Sequence, residues 1–152
     1  MQKKKSIWLV LTLIWTVVII LFTLQPGNTS SNLSGSILTR ILSWFAPDIL
    51  NHPTQLNIWH NVLRKSAHFM EYFILGTITI HAVKEMTLKH KRVSAIVYCL
   101  FIASLDETIQ LFVPGRSGKL TDVMIDFIGA LVAILFMIRL ANNSYRLRRG
   151  QR

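Results

Sequence analysis

Residues 93–113 read VSAIVYCLFIASLDETIQLFV, a run long and apolar enough to cross a bilayer that nevertheless carries Asp106 and Glu107 side by side, with Gln110 one turn further on. A hydrocarbon core about 30 Å thick takes ~20 helical residues. An ionised side chain facing lipid costs at least about 2.5 kcal/mol. The run is therefore a membrane helix only if its acids turn toward polar groups on neighbouring segments, and the rest of the chain has to supply them.

Three more runs do. Residues 6–24 are free of charge, residues 66–83 contain His68, Glu71 and His81, and residues 121–140 contain Asp122 and Asp126. Composition agrees with a membrane class: 51% of the 152 residues are hydrophobic and the mean hydropathy is +0.42. No small-x-small cleavage site comes after the first run, which predicts an uncleaved helix rather than a signal peptide. The single Cys99 lies in the middle of the third run, where a thiol serves as a small packing group, so redox chemistry is not indicated.

Seventeen Lys and Arg against seven Asp and Glu give a formal charge of +10, and the placement of the cations explains it. Lys3, Lys4 and Lys5 precede the first run, Lys84, Lys89, Lys91 and Arg92 lie between the second and third, and Arg139, Arg146, Arg148, Arg149 and Arg152 end or follow the fourth. Arg40, Arg64, Lys65, Arg116 and Lys119 fall on the other side. Basic residues accumulate on the cytoplasmic face of short loops. The expected fold is an all-α membrane protein with four transmembrane helices, both termini cytoplasmic, and no nucleic-acid partner. Residues 34–46 place Ile37, Ile41, Leu42 and Phe45 at helical spacing, predicting a short interfacial helix in the first outer loop. Pro47, Pro53 and the Asn-rich stretch around them read as loop.

This topology brings three polar clusters to one leaflet at similar depth. At 1.5 Å per residue, Glu71, Asp106 and Asp126 each lie roughly 10 Å inside their helix ends. Arg64, Lys65, His68, Glu71 and Tyr72 share an arc of roughly 120° at 100° per residue. Asp122 and Asp126 stack on one face with Gly129, whose lack of a side chain lets a neighbouring helix approach. One reading is a set of interhelical ion pairs that fix helix docking. The other is a polar pocket open to the outer leaflet, in which cations hold a phosphate or carboxylate while His68 and a carboxylate move protons, or in which the His and carboxylates hold a hard divalent cation. Arg116, in the tight turn VPGRSGK, reads either as an anion receptor topping the pocket or as a solvated loop cation.

Two stretches carry a family resemblance. RKSAHFMEYFILG, residues 64–76, and LDETIQLFVPGRSGKLTDVMIDFIGA, residues 105–130, resemble the VanZ-like membrane proteins, with their K-x-x-H-F-x-x-Y-x-x-L, D-E-x-x-Q-x-F, P-x-R and D-x-x-x-D-x-x-G patterns. FTLQPGNTSSNLS after the first helix is similar to that family's Ser/Gln-Pro segment, with Thr23 and Leu24 where Ser is common. The resemblance covers nearly the whole chain and implies one VanZ-like domain over residues 1–152 in a bacterial cell membrane. It implies a site built from Lys65, His68, Tyr72, Asp106, Glu107, Gln110, Arg116, Asp122 and Asp126, with Gln25 as an addition. Among these, His68, Asp106, Glu107 and Asp126 are the candidate catalytic groups. The family's founding member is associated with low-level resistance to the lipoglycopeptide teicoplanin in Gram-positive bacteria. For this chain the resemblance implies an amphiphilic, lipid-linked or lipoglycopeptide-type ligand in the cell envelope. It supplies neither a reaction nor a cofactor, and a non-catalytic binder or sensor, or a small transporter, remains the rival expectation.

Overall fold

The apolar runs fold as helices, and proline or glycine marks the breaks at Pro26, Pro47, Pro53 and Pro114-Gly115, whereas residues 86–90 between the third and fourth helices contain neither. The computed structural model describes residues 3–150, with side chains for residues 7–143. Its order is α1 (Lys3–Thr23), α2 (Gly27–Phe45), a 3₁₀ turn (Pro47–Asn51), α3 (Pro53–Glu85), α4 (Lys91–Gln110) and α5 (Leu120–Gly150). No strand occurs among the described residues. The side chains of Lys3, Lys4, Lys5, Arg146, Arg148 and Arg149, and all of Arg152, which enter the orientation argument, lie outside the described residues.

α4 and the Leu120–Asn143 part of α5 are each long and apolar enough to cross a membrane. The pair Ile7–Thr23 and Gly27–Phe45, bent by 102°, adds a third such unit if it is taken as one broken span. α3 does not meet that measure: its apolar stretch, residues 66–83, also carries His68, Glu71 and His81.

Three expectations change in detail. The helix expected over residues 34–46 begins earlier, directly after Pro26, and runs 19 residues as α2. Pro53 is not loop. It occupies the first turn of α3, where a missing N–H costs nothing, and α3 therefore starts 13 residues before Ser66 and reaches 33 residues. α4 ends at Gln110, so Leu111, Phe112 and Val113 belong to the turn after it.

α3 is the hub, packing on α5 most extensively and also on α1, α4 and α2. Small residues make the seams tight. A Cβ built on Gly129 would lie 2.4 Å from the Phe69 carbonyl oxygen, and one on Gly76 would lie 2.5 Å from that of Ala130, so α3 and α5 meet backbone to backbone. On α4, Ala95, Cys99 and Ala103 recur every four residues and are wholly buried. Around this core, Leu13, Val17, Leu21, Phe101 and Leu135 point outward, an apolar exterior suited to lipid.

The bend after α1 has a local cause. Pro26 lacks the N–H that would continue the helix and pushes Gln25 away from helical geometry. The backbone groups freed there find partners in the α4–α5 turn: Gly27 N–H donates to the Pro114 carbonyl at 3.0 Å, and Gly115 (φ 74°) lies against Gly27, where any side chain would collide.

Candidate functional site

Asp106, Glu107 and Gln110 occupy the C-terminal end of α4, where the helix dipole disfavours negative charge. A carboxylate pair placed there needs compensation, and the neighbouring helices supply it to Asp106. Thr23 of α1 donates to Asp106 Oδ1 at 2.5 Å, Tyr72 of α3 donates to Oδ2 at 3.1 Å, and Gln110 Nε2 donates to Oδ1 at 3.1 Å. Glu107 accepts from the same Gln110 nitrogen at 3.1 Å and from the Lys119 backbone N–H at 2.8 Å. Asp106, Glu107, Gln110 and Tyr72 are all buried.

Asp126 of α5 faces this group and differs from it. It is completely buried, and neither carboxylate oxygen accepts a hydrogen bond from the described residues. Its neighbour is His68 of α3, with Nδ1 3.3 Å from Oδ1, within ion-pair reach but not aligned as a hydrogen bond. One ligand atom each from His68, Asp106, Glu107 and Asp126 lie within 4.8 Å of one another. Three helices thus converge on one point, as the shared depth of their polar residues predicts.

In front of this cluster lies a cavity of about 410 Å³ bounded by α1, α2, α3, the end of α4 and Arg116. His68, Glu71, Asp106 and Gln110 line it together with Arg64, Gln25 and Arg116, and so do the apolar Trp15, Ile19, Leu33, Ile37 and Ile74. Glu107, Tyr72, Asp122 and Asp126 stand outside that lining. Asp122, in the first turn of α5 where the dipole favours an acid, pairs with Arg64 at 3.4 Å. Lys65 is exposed and takes no part in the cavity wall, while its neighbour Arg64 does.

Arg116 ties the site to α1. Its Nε donates to the Gln25 carbonyl at 2.9 Å and its Nη2 to the Phe22 carbonyl at 2.7 Å, which caps the C-terminal end of α1 from the opposite loop. Burial lowers its pKa from the ordinary value and the nearby Asp106 raises it again, and a guanidinium stays charged throughout. Replacing Arg116 with Ala is expected to cost roughly 1–2 kcal/mol, the worth of two partly exposed charge-assisted bonds, seen as a lowered thermal midpoint of the detergent-solubilised protein. Arg116→Lys should recover little of it, since an ammonium lacks the fork that reaches both carbonyls.

Several contributors escape a reading of the sequence. Thr23 is one, and the family pattern gave its only hint, the position where Ser is common. Trp15 does more than pack: its indole N–H donates to the Glu71 carbonyl at 2.9 Å, pinning α1 to the polar stretch of α3. His60 meets Ser34 at 2.8 Å, which anchors α2 on α3.

No curated protein and no solved structure matches the chain. The VanZ/LLP1 family matches residues 8–141, from the second turn of α1 through the apolar part of α5. That span includes every residue of the buried cluster and of the cavity wall, and the chain belongs to the VanZ/LLP1 family of membrane proteins.

Proposed function

We propose that this protein crosses the cell membrane four times with both termini in the cytoplasm, and that its cavity opens at the outer leaflet to take an amphiphilic molecule of the cell envelope. The observation that carries this reading is that one cavity is lined both by charged and polar groups and by apolar side chains, since a headgroup and a lipid tail need both kinds of surface in one place. Arg64 and Arg116 are the cations placed to meet an anionic headgroup, and Lys65 lies outside their clamp. α3 supports the topology by its length: 33 residues span ~50 Å at 1.5 Å per residue, enough to cross and still project several turns that carry α2.

Acting as an enzyme, the protein would use His68 and Asp126 to move a proton, with Asp106 held in place by its three donors and Glu107 beside it. Comparing envelope lipids by mass spectrometry in cells with and without the protein tests this. A covalently altered species that depends on His68 and Asp126 is the expected result. An unchanged lipid profile removes catalysis and leaves binding, sensing or transport. Contribution to glycopeptide resistance is read in the same strains as a shift in the inhibitory concentration of teicoplanin.

The topology has its own test. In a Cys99→Ala background, Ser117→Cys places a thiol on an exposed turn, and a membrane-impermeant maleimide added to intact cells is expected to label it. The unsubstituted protein, whose single Cys99 is buried, should stay unlabelled. Labelling of Ser117→Cys only after lysis would put the cavity mouth in the cytoplasm and overturn the orientation.

A further inference from the structure

We propose that His68, Asp106, Glu107 and Asp126 form a binding site for a divalent first-row transition metal, of the Mn²⁺ or Zn²⁺ kind. Two independent observations meet here. The first is geometric: the four donor atoms, drawn from three helices, all lie within 4.8 Å of one another. At metal–ligand bonds of about 2.0–2.2 Å, donors around one ion are roughly 3–4.4 Å apart, so side-chain shifts of a few tenths of an ångström close the shell. The second is the state of Asp126. A wholly buried carboxylate with no hydrogen-bond donor on either oxygen is among the most costly groups a protein interior can hold, and the cluster it faces offers two more carboxylates and a half-buried imidazole. The one ionisable partner of Asp126, His68 Nδ1 at 3.3 Å, is off-line for a hydrogen bond, and a cation held between the two would satisfy both.

The donor set narrows the metal. Three carboxylates suit hard cations, and the imidazole shifts preference from Mg²⁺ and Ca²⁺ toward Mn²⁺, Fe²⁺ and Zn²⁺. The surroundings are those of a metal site. Thr23, Tyr72 and Gln110 orient Asp106, and Gln110 with the Lys119 N–H orients Glu107, the outer partners that fix ligating carboxylates. Arg64 is engaged with Asp122 and Arg116 with backbone carbonyls, so neither cation is committed to neutralising Asp126. His68 and Asp106 line the cavity while Glu107 and Asp126 lie behind them, so the open side of the ion faces the cavity. A phosphate oxygen of the cavity's occupant would complete the shell. That last step rests on the functional reading above, whereas binding of the ion does not, and a bound ion takes His68 and Asp126 as ligands in place of the proton-moving role given them there.

The test uses the full-length protein in detergent, stripped with EDTA and titrated with MnCl₂ while free Mn²⁺ is followed by electron paramagnetic resonance. Saturation at one ion per chain, displaced by ZnCl₂, is expected. Pulsed measurements on the bound ion should detect a single nitrogen coupling that is absent in His68→Gln. Asp126→Asn and Glu107→Gln should each weaken binding by at least about tenfold, the lower end of what disturbing a metal site costs. Absence of saturable binding, or bound Mn²⁺ without nitrogen coupling in the wild type, overturns the site. So does unchanged affinity in both carboxylate variants. Should either variant not fold, as judged by gel filtration, the wild-type nitrogen coupling decides alone. Mn²⁺ bound as expected alongside an unaltered lipid profile would retain the metal site and discard the enzymatic reading.

Discussion

Substituting Gly129 by leucine is expected to prevent the protein from reaching its folded state. The first added carbon would sit 2.4 Å from the Phe69 carbonyl oxygen, a backbone atom that cannot rotate away, so α3 and α5 must separate along their whole seam. Overpacking of this kind costs about 1–3 kcal/mol for a single methyl and more for a branched side chain, against a total stability of roughly 5–15 kcal/mol. Gly129→Ala should lower the thermal midpoint measurably, and Gly129→Leu should yield no monodisperse protein after extraction. Gly76→Ala, 2.5 Å from the Ala130 carbonyl oxygen, should behave like Gly129→Ala. Gly35 is the control: an added Cβ meets nothing within 4 Å, and alanine there should stabilise α2 by about 0.5–1 kcal/mol through helix propensity. A well-folded Gly129→Leu would mean that the helices do not meet as described.

The second large effect concerns Asp106. Removing its carboxylate with Asp106→Ala withdraws an acceptor from three donors, yet they do not lose equally. Thr23 can turn its hydroxyl proton to the Ile19 carbonyl at 2.8 Å, and Gln110 retains Glu107. Tyr72, wholly buried, has no other hydrogen-bond acceptor among the described residues. The stranded phenol should cost about 1–3 kcal/mol, with the loss of side-chain packing added. Tyr72→Phe in the same chain removes the stranded group, so the double variant should be more stable than Asp106→Ala alone. A thermal-unfolding cycle over the two single variants and the double measures the coupling. Function should respond differently, staying lost in the double variant because the carboxylate itself is missing. If adding Tyr72→Phe lowers stability further, the bond between the two residues does not carry the effect.

Helix identity and the meeting of polar groups were legible because both arise from coarse constraints. An acid in an apolar run has few places to go, and Glu71, Asp106 and Asp126 read at matching depth on three segments, although it is His68, one turn from Glu71, that joins the two aspartates in the cluster. Gly129 was readable for the same reason, being on the face that carries Asp122 and Asp126. Other features were not legible, each for a physical cause. The first 13 residues of α3 carry more polar than apolar side chains, so they do not read as a membrane run, and Pro53 suggested a break where it begins a helix. Arg64 and Lys65 are adjacent, so an arc of roughly 120° admits both at 100° per residue, and only the packed structure separates the one in the cavity wall from the exposed one. Thr23 carries a hydroxyl that serves equally well in a lipid-facing helix, bonded to its own backbone, and nothing local marks its second partner 83 residues away.

The capping of α1 by Arg116 has a bearing on the order in which the chain is made. The two carbonyls concerned precede the arginine by 94 and 91 positions, so the first helix leaves the ribosome long before its finishing contact exists. Thr23 waits nearly as long for Asp106. Until the later loop emerges, the C-terminal end of α1 has none of its finishing partners, and its sharp corner at Pro26 acquires a fixed direction late in biosynthesis. A nascent chain stopped before residue 116 would therefore hold a first helix without the architecture that surrounds the cavity.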